Sequence, residues 1–66
     1  MERNLFLDWD GIVEEAVKRR KEQRLTQKEL ALLVGVSGPT VNAFERKKTT
    51  LTLASAMKIL TWLGLA

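Results

Sequence analysis

A chain of 66 residues is long enough for one small domain, and the absence of cysteine and histidine excludes disulfides and disfavours a zinc site. The same absence removes the usual nucleophile–base pairs, and adjacent carboxylates such as Glu14 and Glu15 diverge on a helix, so we expect no enzyme, metal or cofactor. Eleven lysine and arginine residues against eight aspartate and glutamate residues give a net charge of +3, which permits nucleic-acid binding without requiring it.

Residues 1–8 are expected to form an N-terminal arm before the first helix. They lack the long apolar core of a signal peptide, and no run of about 18 apolar residues occurs in the chain. We therefore expect a cytoplasmic protein without a membrane span. Four bulky apolar side chains in this arm or directly after it either fold back onto the core or lengthen the helix: Leu5, Phe6, Leu7 and Trp9.

The first helix is predicted over about 9–23. Asp8 or Asp10 is a suitable N-cap, because a carboxylate there accepts hydrogen bonds from unpaired backbone N–H groups. The basic cluster at 18–24 comes at the C-terminal end, where cations interact favourably with the helix dipole. The apolar stripe at helical spacing comprises Ile12, Val13, Ala16 and Val17.

The second helix is predicted over 27–34, and its start is the sharpest local signal in the chain. Thr26 and Glu29 have the spacing of a capping box, in which each side chain bonds the backbone of the other residue. Gly35 stands where a left-handed residue ends a helix. The apolar face is predicted to contain Leu30, Leu33 and Val34.

The third helix is predicted over 38–46, after a connection of about three residues. Ser37 is a good N-cap, and Pro39 lies in the first turn, where its missing N–H has no helical partner. Gly35 and Ser37 therefore indicate a rigid turn rather than a flexible break. Val41, Phe44 and Glu45 fall on the core side. The open side carries Gly38, Pro39, Asn42, Ala43 and Arg46.

The fourth helix is predicted over 52–63, with Thr52 at its start and Gly64 at its end. Its apolar spacing is Ala56, Ile59, Leu60 and Leu63. These four helices leave no room for a sheet. The predicted fold class is all-α: one domain, 1–66, formed by a compact bundle of four, at most five, short helices.

Two short helices joined by a tight glycine-containing turn form a helix-turn-helix. Gln27, Ala31, Gly35 and Val41 follow one another at the spacing expected of the two helices and their turn. Ala31 is small, as expected where the third helix crosses the second. The segment 25–48, LTQKELALLVGVSGPTVNAFERKK, resembles the DNA-binding domain of the lambda-repressor/Cro-like, or XRE, family, and the likeness extends from about 20 to 64.

The resemblance implies a transcriptional regulator, usually a repressor, that binds double-stranded DNA as a homodimer on a palindromic operator. The third helix would enter the major groove, and Asn42 is the one amide there able to pair with adenine. Thr40 either reaches the DNA or points inward in a structural role. The implied base contacts are Gly38, Pro39, Asn42 and Ala43. The implied phosphate contacts are Gln27, Thr40, Arg46, Lys47 and Lys48.

The resemblance also implies that Arg20 and Glu45 form a partly buried ion pair between the first and third helices, the alternative for Arg20 being a solvated or phosphate-facing cation. Two positions depart from the family pattern. Lys47 replaces a glycine, where a left-handed backbone would strain a lysine, and Leu51 replaces a proline. We also expect no counterpart of the family's usual fifth helix after residue 64, which affects the family's C-terminal dimer contacts.

A second hypothesis keeps the fold and changes the role. The segment 49–65 resembles the end of the DNA-binding domain in some antitoxins of toxin–antitoxin pairs, which also bind their own operator. Trp62 would then contact a toxin partner, whereas packing in the core or in a homodimer is the alternative. A third hypothesis is a helical scaffold that does not bind DNA.

Overall fold

A computed structural model describes residues 8–66 of the protein, so the expectations for Leu5, Phe6, Leu7 and most of the arm lie outside the described residues. The helices are α1 (Trp9–Glu22), α2 (Gln27–Val34), α3 (Gly38–Glu45) and α4 (Leu53–Trp62), and residues 8–66 contain no strand. The predicted all-α class with four helices is confirmed, with every helix end within one residue of its predicted position.

Each helix begins at a side chain that accepts a hydrogen bond from the first turn. Asp8 accepts from the N–H of Gly11 over 3.1 Å, so the first of the two candidate aspartates is the cap. The capping box of α2 is complete: Thr26 Oγ1 accepts from Glu29 N at 3.0 Å, and Glu29 Oε1 accepts from Thr26 N at 2.8 Å. Ser37 and Thr52 cap α3 and α4 in the same manner. Since each such cap contributes about 1 kcal/mol, local chemistry fixes these starts.

The turn between α2 and α3 is tight because two backbone N–H groups share one carbonyl. Those of Gly35 and Val36 both donate to the carbonyl of Ala31, over 2.9 and 3.0 Å. Gly35 has a φ of +89°, a left-handed conformation that a side chain would strain. Ala31 itself is 3% exposed, in keeping with its expected place at the helix crossing. The turn therefore holds α2 and α3 at a fixed angle.

The core lies between all four helices. Trp9 is the first residue of α1, and its ring makes an edge-to-face contact with that of Phe44, with centroids 5.5 Å apart and planes at 88°. The Trp9 indole Nε1 is buried and has no hydrogen-bond partner among the described residues. The buried apolar residues are Val13, Ala16, Leu30, Ala31, Val41, Phe44, Ala56, Ile59, Leu60 and Leu63.

Leu33 was predicted on the apolar face of α2, and this prediction is wrong: the residue is 54% exposed. Successive helical residues turn by about 100°, so the inward face formed by Leu30, Ala31 and Val34 centres roughly 110° from Leu33. Because Ala31 is small, α3 packs closely against that side of α2, and Leu33 lies away from the contact. A stripe that counts only large apolar residues misses this rotation.

Arg19 joins α1 to the end of α4. Its Nη1 donates to the carbonyls of Leu63 at 3.0 Å and Gly64 at 3.3 Å, while Nε pairs with Glu15 on the same helix. A cation at a helix C-terminus satisfies carbonyls that have no helical partner. Gly64, with a φ of +79°, lies just after the C-cap, Leu63. None of the helices in residues 8–66 has the length and apolarity that crossing a membrane requires.

Candidate nucleic-acid interface

A nearly buried ion pair fixes the base of α3 against α1. Arg20 Nε lies 2.6 Å from Glu45 Oε2, and Nη2 lies 3.0 Å from Oε1, so the contact is bidentate. The two side chains are only 12% and 8% exposed. Arg20 Nη1 also donates to the carbonyl of Leu25, over 2.6 Å, which ties the loop before α2 to the same group. Charged partners at this burial form a rigid support for α3.

The ion pair extends into a chain of amide hydrogen bonds that reaches the exposed surface of α3. Gln27 Nε2 donates to Glu45 Oε1 over 2.9 Å, and Gln27 Oε1 accepts from Asn42 Nδ2 over 3.2 Å. Gln27 is half-buried at the start of α2, whereas Asn42 is exposed. The structure thus brings together two residues that the resemblance assigned separately to phosphate and base contact.

An open groove of about 620 Å³ lies between the N-terminal ends of α2 and α3. A Cβ added to Gly38 would meet no atom within 4 Å, so this residue leaves the floor of the groove open. Its lining includes one residue that sequence reasoning missed, Lys28, whose only signal was its place beside Gln27 in the first turn of α2. The lining residues are Gln27, Lys28, Gly38, Pro39 and Asn42. Ala43 is half-buried on α3 and does not line the groove.

Thr40 lies inside the cap of α3. Its hydroxyl is 2.7 Å from Ser37 Oγ, and its N–H donates to the same oxygen over 3.2 Å. The residue is half-buried. Both contacts lie at the exposed N-terminal end of α3, and they give Thr40 a place in the helix cap.

Basic residues follow α3 directly. Arg46 is the C-cap, and Lys47 adopts the left-handed backbone expected from the family pattern, with a φ of +64°. Lys47 Nζ donates to Glu14 Oε2 at 2.7 Å, and this hydrogen bond raises the pKa of Lys47 above its ordinary value. The bond holds the Lys47 ammonium group toward α1. Arg46 and Lys48 are exposed.

The described residues contain no group of three His, Cys, Asp or Glu side chains that could hold a metal ion. The surface instead presents side-chain amides, the N-terminal ends of two helices and cationic side chains. These are groups that bind phosphates and the edges of bases.

Comparison with protein-family models finds a match to the helix-turn-helix family over residues 18–65. The match begins just before Arg20 and covers the turn, α3 and α4. No curated protein and no solved structure matches the chain significantly. The family match agrees with the structure, in which a tight turn at Gly35 joins two helices that are capped by Thr26 and Ser37. The chain belongs to the lambda-repressor-like (XRE) helix-turn-helix family of DNA-binding transcriptional regulators.

Proposed function

We propose that this protein represses transcription by inserting α3 into the major groove of duplex DNA, with α2 lying across the sugar–phosphate backbone. The observation that carries the proposal is the open groove at the N-terminal ends of both helices, where Gly38 leaves space and Asn42 presents an amide. The rigid turn at Gly35 and the buried ion pair keep this surface in one geometry. A preorganised surface loses little conformational entropy when it binds.

Base recognition falls mainly on Asn42, since its amide can bond both N6 and N7 of adenine. Gly38 and Ala43 offer no side-chain donor, and Pro39 can only pack, for instance against a thymine methyl group. Each monomer therefore reads few bases. The remaining selection comes from the spacing of two half-sites and from the deformability of the DNA between them.

Phosphate contacts position the domain on the duplex without reading its sequence. Gln27 lies at the N-terminus of α2, where backbone N–H groups favour an anion. Arg46, Lys47 and Lys48 follow α3 directly, and the Thr40 hydroxyl can donate to a phosphate while it accepts a hydrogen bond from Ser37 Oγ. These groups supply the affinity that depends on salt.

A homodimer would place two α3 helices about 34 Å apart, one turn of DNA, on a palindromic operator. Large apolar side chains on the exposed surface of α4 support association with a second chain: Met57 and Trp62, which line one groove, are 43% and 39% exposed, and Leu53, at the start of the helix, is 76% exposed. Exposed apolar residues of this size favour a protein contact when they lie together. A groove of about 400 Å³ runs along this side, between Val34 and Trp62.

The same apolar side of α4 favours a second candidate function, that of an antitoxin whose partner toxin covers Trp62. The two functions differ in whether a second protein accompanies this one through purification. A homodimeric repressor purifies without a partner, whereas an antitoxin co-purifies with the product of a neighbouring gene. Both would still bind DNA through α3.

The Asn42→Ala variant tests base recognition. A duplex selected from a random pool is expected to lose about 1–3 kcal/mol of binding free energy when Asn42 is truncated, because a bidentate pair with adenine is removed. Binding to random DNA is expected to change much less. Equilibrium titrations on both duplexes measure the two losses.

Lys48→Met is the matched control, since a lost phosphate contact weakens binding to every sequence alike and lowers the salt slope by about 1. Equal losses for Asn42→Ala on selected and random DNA would contradict base reading by Asn42.

A further inference from the structure

We propose that Gln27 is a positioning residue that fixes the orientation of the Asn42 amide and thereby sets base preference at the position that Asn42 reads. This inference rests on the proposed role of Asn42. It adds to the family-implied role of Gln27 as a phosphate contact, because the hydrogen bonds of Gln27 run between the buried ion pair and the recognition surface.

Glu45 is the group that orients the Gln27 amide. Its carboxylate accepts hydrogen bonds from Nε and Nη2 of Arg20 and is only 8% exposed, so its position is fixed. An ionised carboxylate can only accept hydrogen bonds. The atom of the Gln27 amide that lies 2.9 Å from Glu45 Oε1 must therefore be the nitrogen. The chemistry of the ion pair thus decides which way the Gln27 amide faces.

The Gln27 amide in turn orients the amide of Asn42. With its nitrogen turned toward Glu45, Gln27 presents Oε1, which also can only accept. The neighbouring atom of Asn42, 3.2 Å away, is accordingly Nδ2. Asn42 is left with one free N–H and with Oδ1, a donor and an acceptor at the open end of the amide. This pair matches the N7 acceptor and the N6 donor of adenine in the major groove.

The hydrogen bond between Gln27 and Asn42 matters more here than on a recognition helix with several amides, because Gly38 and Pro39 cannot read bases by hydrogen bonding. Asn42 is exposed, and Gly38 and Pro39, which line the groove beside it, have no side-chain donor or acceptor. Among the described residues, Gln27 is the side chain that hydrogen-bonds the Asn42 amide. Its second N–H stays available for a phosphate. Gln27 can therefore contact the backbone and orient Asn42 at the same time.

The test uses a duplex selected from a random pool and three variants of it, in which the adenine read by Asn42 is replaced by each other base. The wild-type protein is expected to prefer adenine by about tenfold, the ratio that a pair worth roughly 1.4 kcal/mol gives. In Gln27→Leu this preference is expected to fall to about twofold, since the Asn42 amide then rotates freely. Lys28→Met, a neighbour in the same groove, is the matched control: because a lysine near the backbone reads no base, its loss is expected to lower affinity alike on all four duplexes and to leave the adenine preference at the wild-type value.

Two outcomes separate this inference from the proposed function. If Gln27→Leu loses affinity equally on all four duplexes and keeps the adenine preference, the positioning role is overturned and base reading by Asn42 stands. If Asn42→Ala keeps the adenine preference, base reading fails and the positioning role fails with it.

Nuclear magnetic resonance of the DNA-free wild type gives a check that needs no variant. Contacts between the two side-chain amides and a slowly moving Asn42 amide support the inference, whereas a freely rotating Asn42 amide overturns it.

Discussion

Replacing Arg20 with methionine is expected to lower the free energy of unfolding by about 3 kcal/mol, because the Glu45 carboxylate is then left nearly buried with only the Gln27 amide beside it. A 66-residue domain has a total stability of roughly 3–10 kcal/mol, so this loss is a large part of the whole. The midpoint of thermal unfolding, followed by circular dichroism, should drop by roughly 12–24 °C.

The double variant Arg20→Met/Glu45→Leu is expected to be more stable than Arg20→Met alone, since no buried charge then lacks a partner. Glu15→Gln is the matched control on the same helix. The Arg19–Glu15 pair is 38% and 42% exposed, and solvent screening leaves it a contribution of at most about 0.5 kcal/mol. Equal losses for Arg20→Met and Glu15→Gln would contradict the structural role of the buried pair.

Phe44→Ala is the second large effect we expect, with a loss of about 3–5 kcal/mol in the free energy of unfolding. Phe44 is 1% exposed, lies on the inner side of α3, and meets the ring of Trp9 edge-on. Truncation removes the apolar burial, leaves a cavity behind the recognition surface and breaks the aromatic contact. Urea titration of the variant and the wild type measures the difference.

Phe44→Leu is the control for cavity size, and its loss should be clearly smaller because most of the volume is kept. Unfolding that is equally impaired in Phe44→Leu and Phe44→Ala would mean that volume at this position does not matter. Because Phe44 and Glu45 are adjacent, the core and the ion pair act on the same end of α3. The inner side of α3 is therefore the support on which the recognition surface depends.

The helix starts could be predicted from the sequence because their causes are local. A threonine followed by a glutamate three residues later forms a capping box regardless of distant contacts, and α2 begins accordingly after Thr26. Gly35 ends α2 with a left-handed backbone for the same kind of reason. The Arg20–Glu45 contact came from the family resemblance, since 25 residues of separation carry no local signal.

Contacts that depend on how helices cross could not be predicted. The rotation of α2 that exposes Leu33 depends on where α3 packs on Ala31, which periodicity does not give. The bond from Lys47 to Glu14 spans 33 residues, and the one from Asn42 to Gln27 spans 15. Sequence spacing therefore placed Gln27 and Asn42 on two helices and assigned them separate roles. Their shared hydrogen bond became visible only in three dimensions.

The proposed binding mode makes one demand on the DNA complex that involves no variant and no assumption about the operator. Amide resonances of the ¹⁵N-labelled protein, followed during titration with a duplex selected from a random pool, should shift most for Gly38–Glu45 and for Gln27. These residues form α3 and the start of α2, which contact the DNA in the proposed binding mode. Resonances of α3 and Gln27 that stay unchanged while the duplex is bound would contradict the central claim.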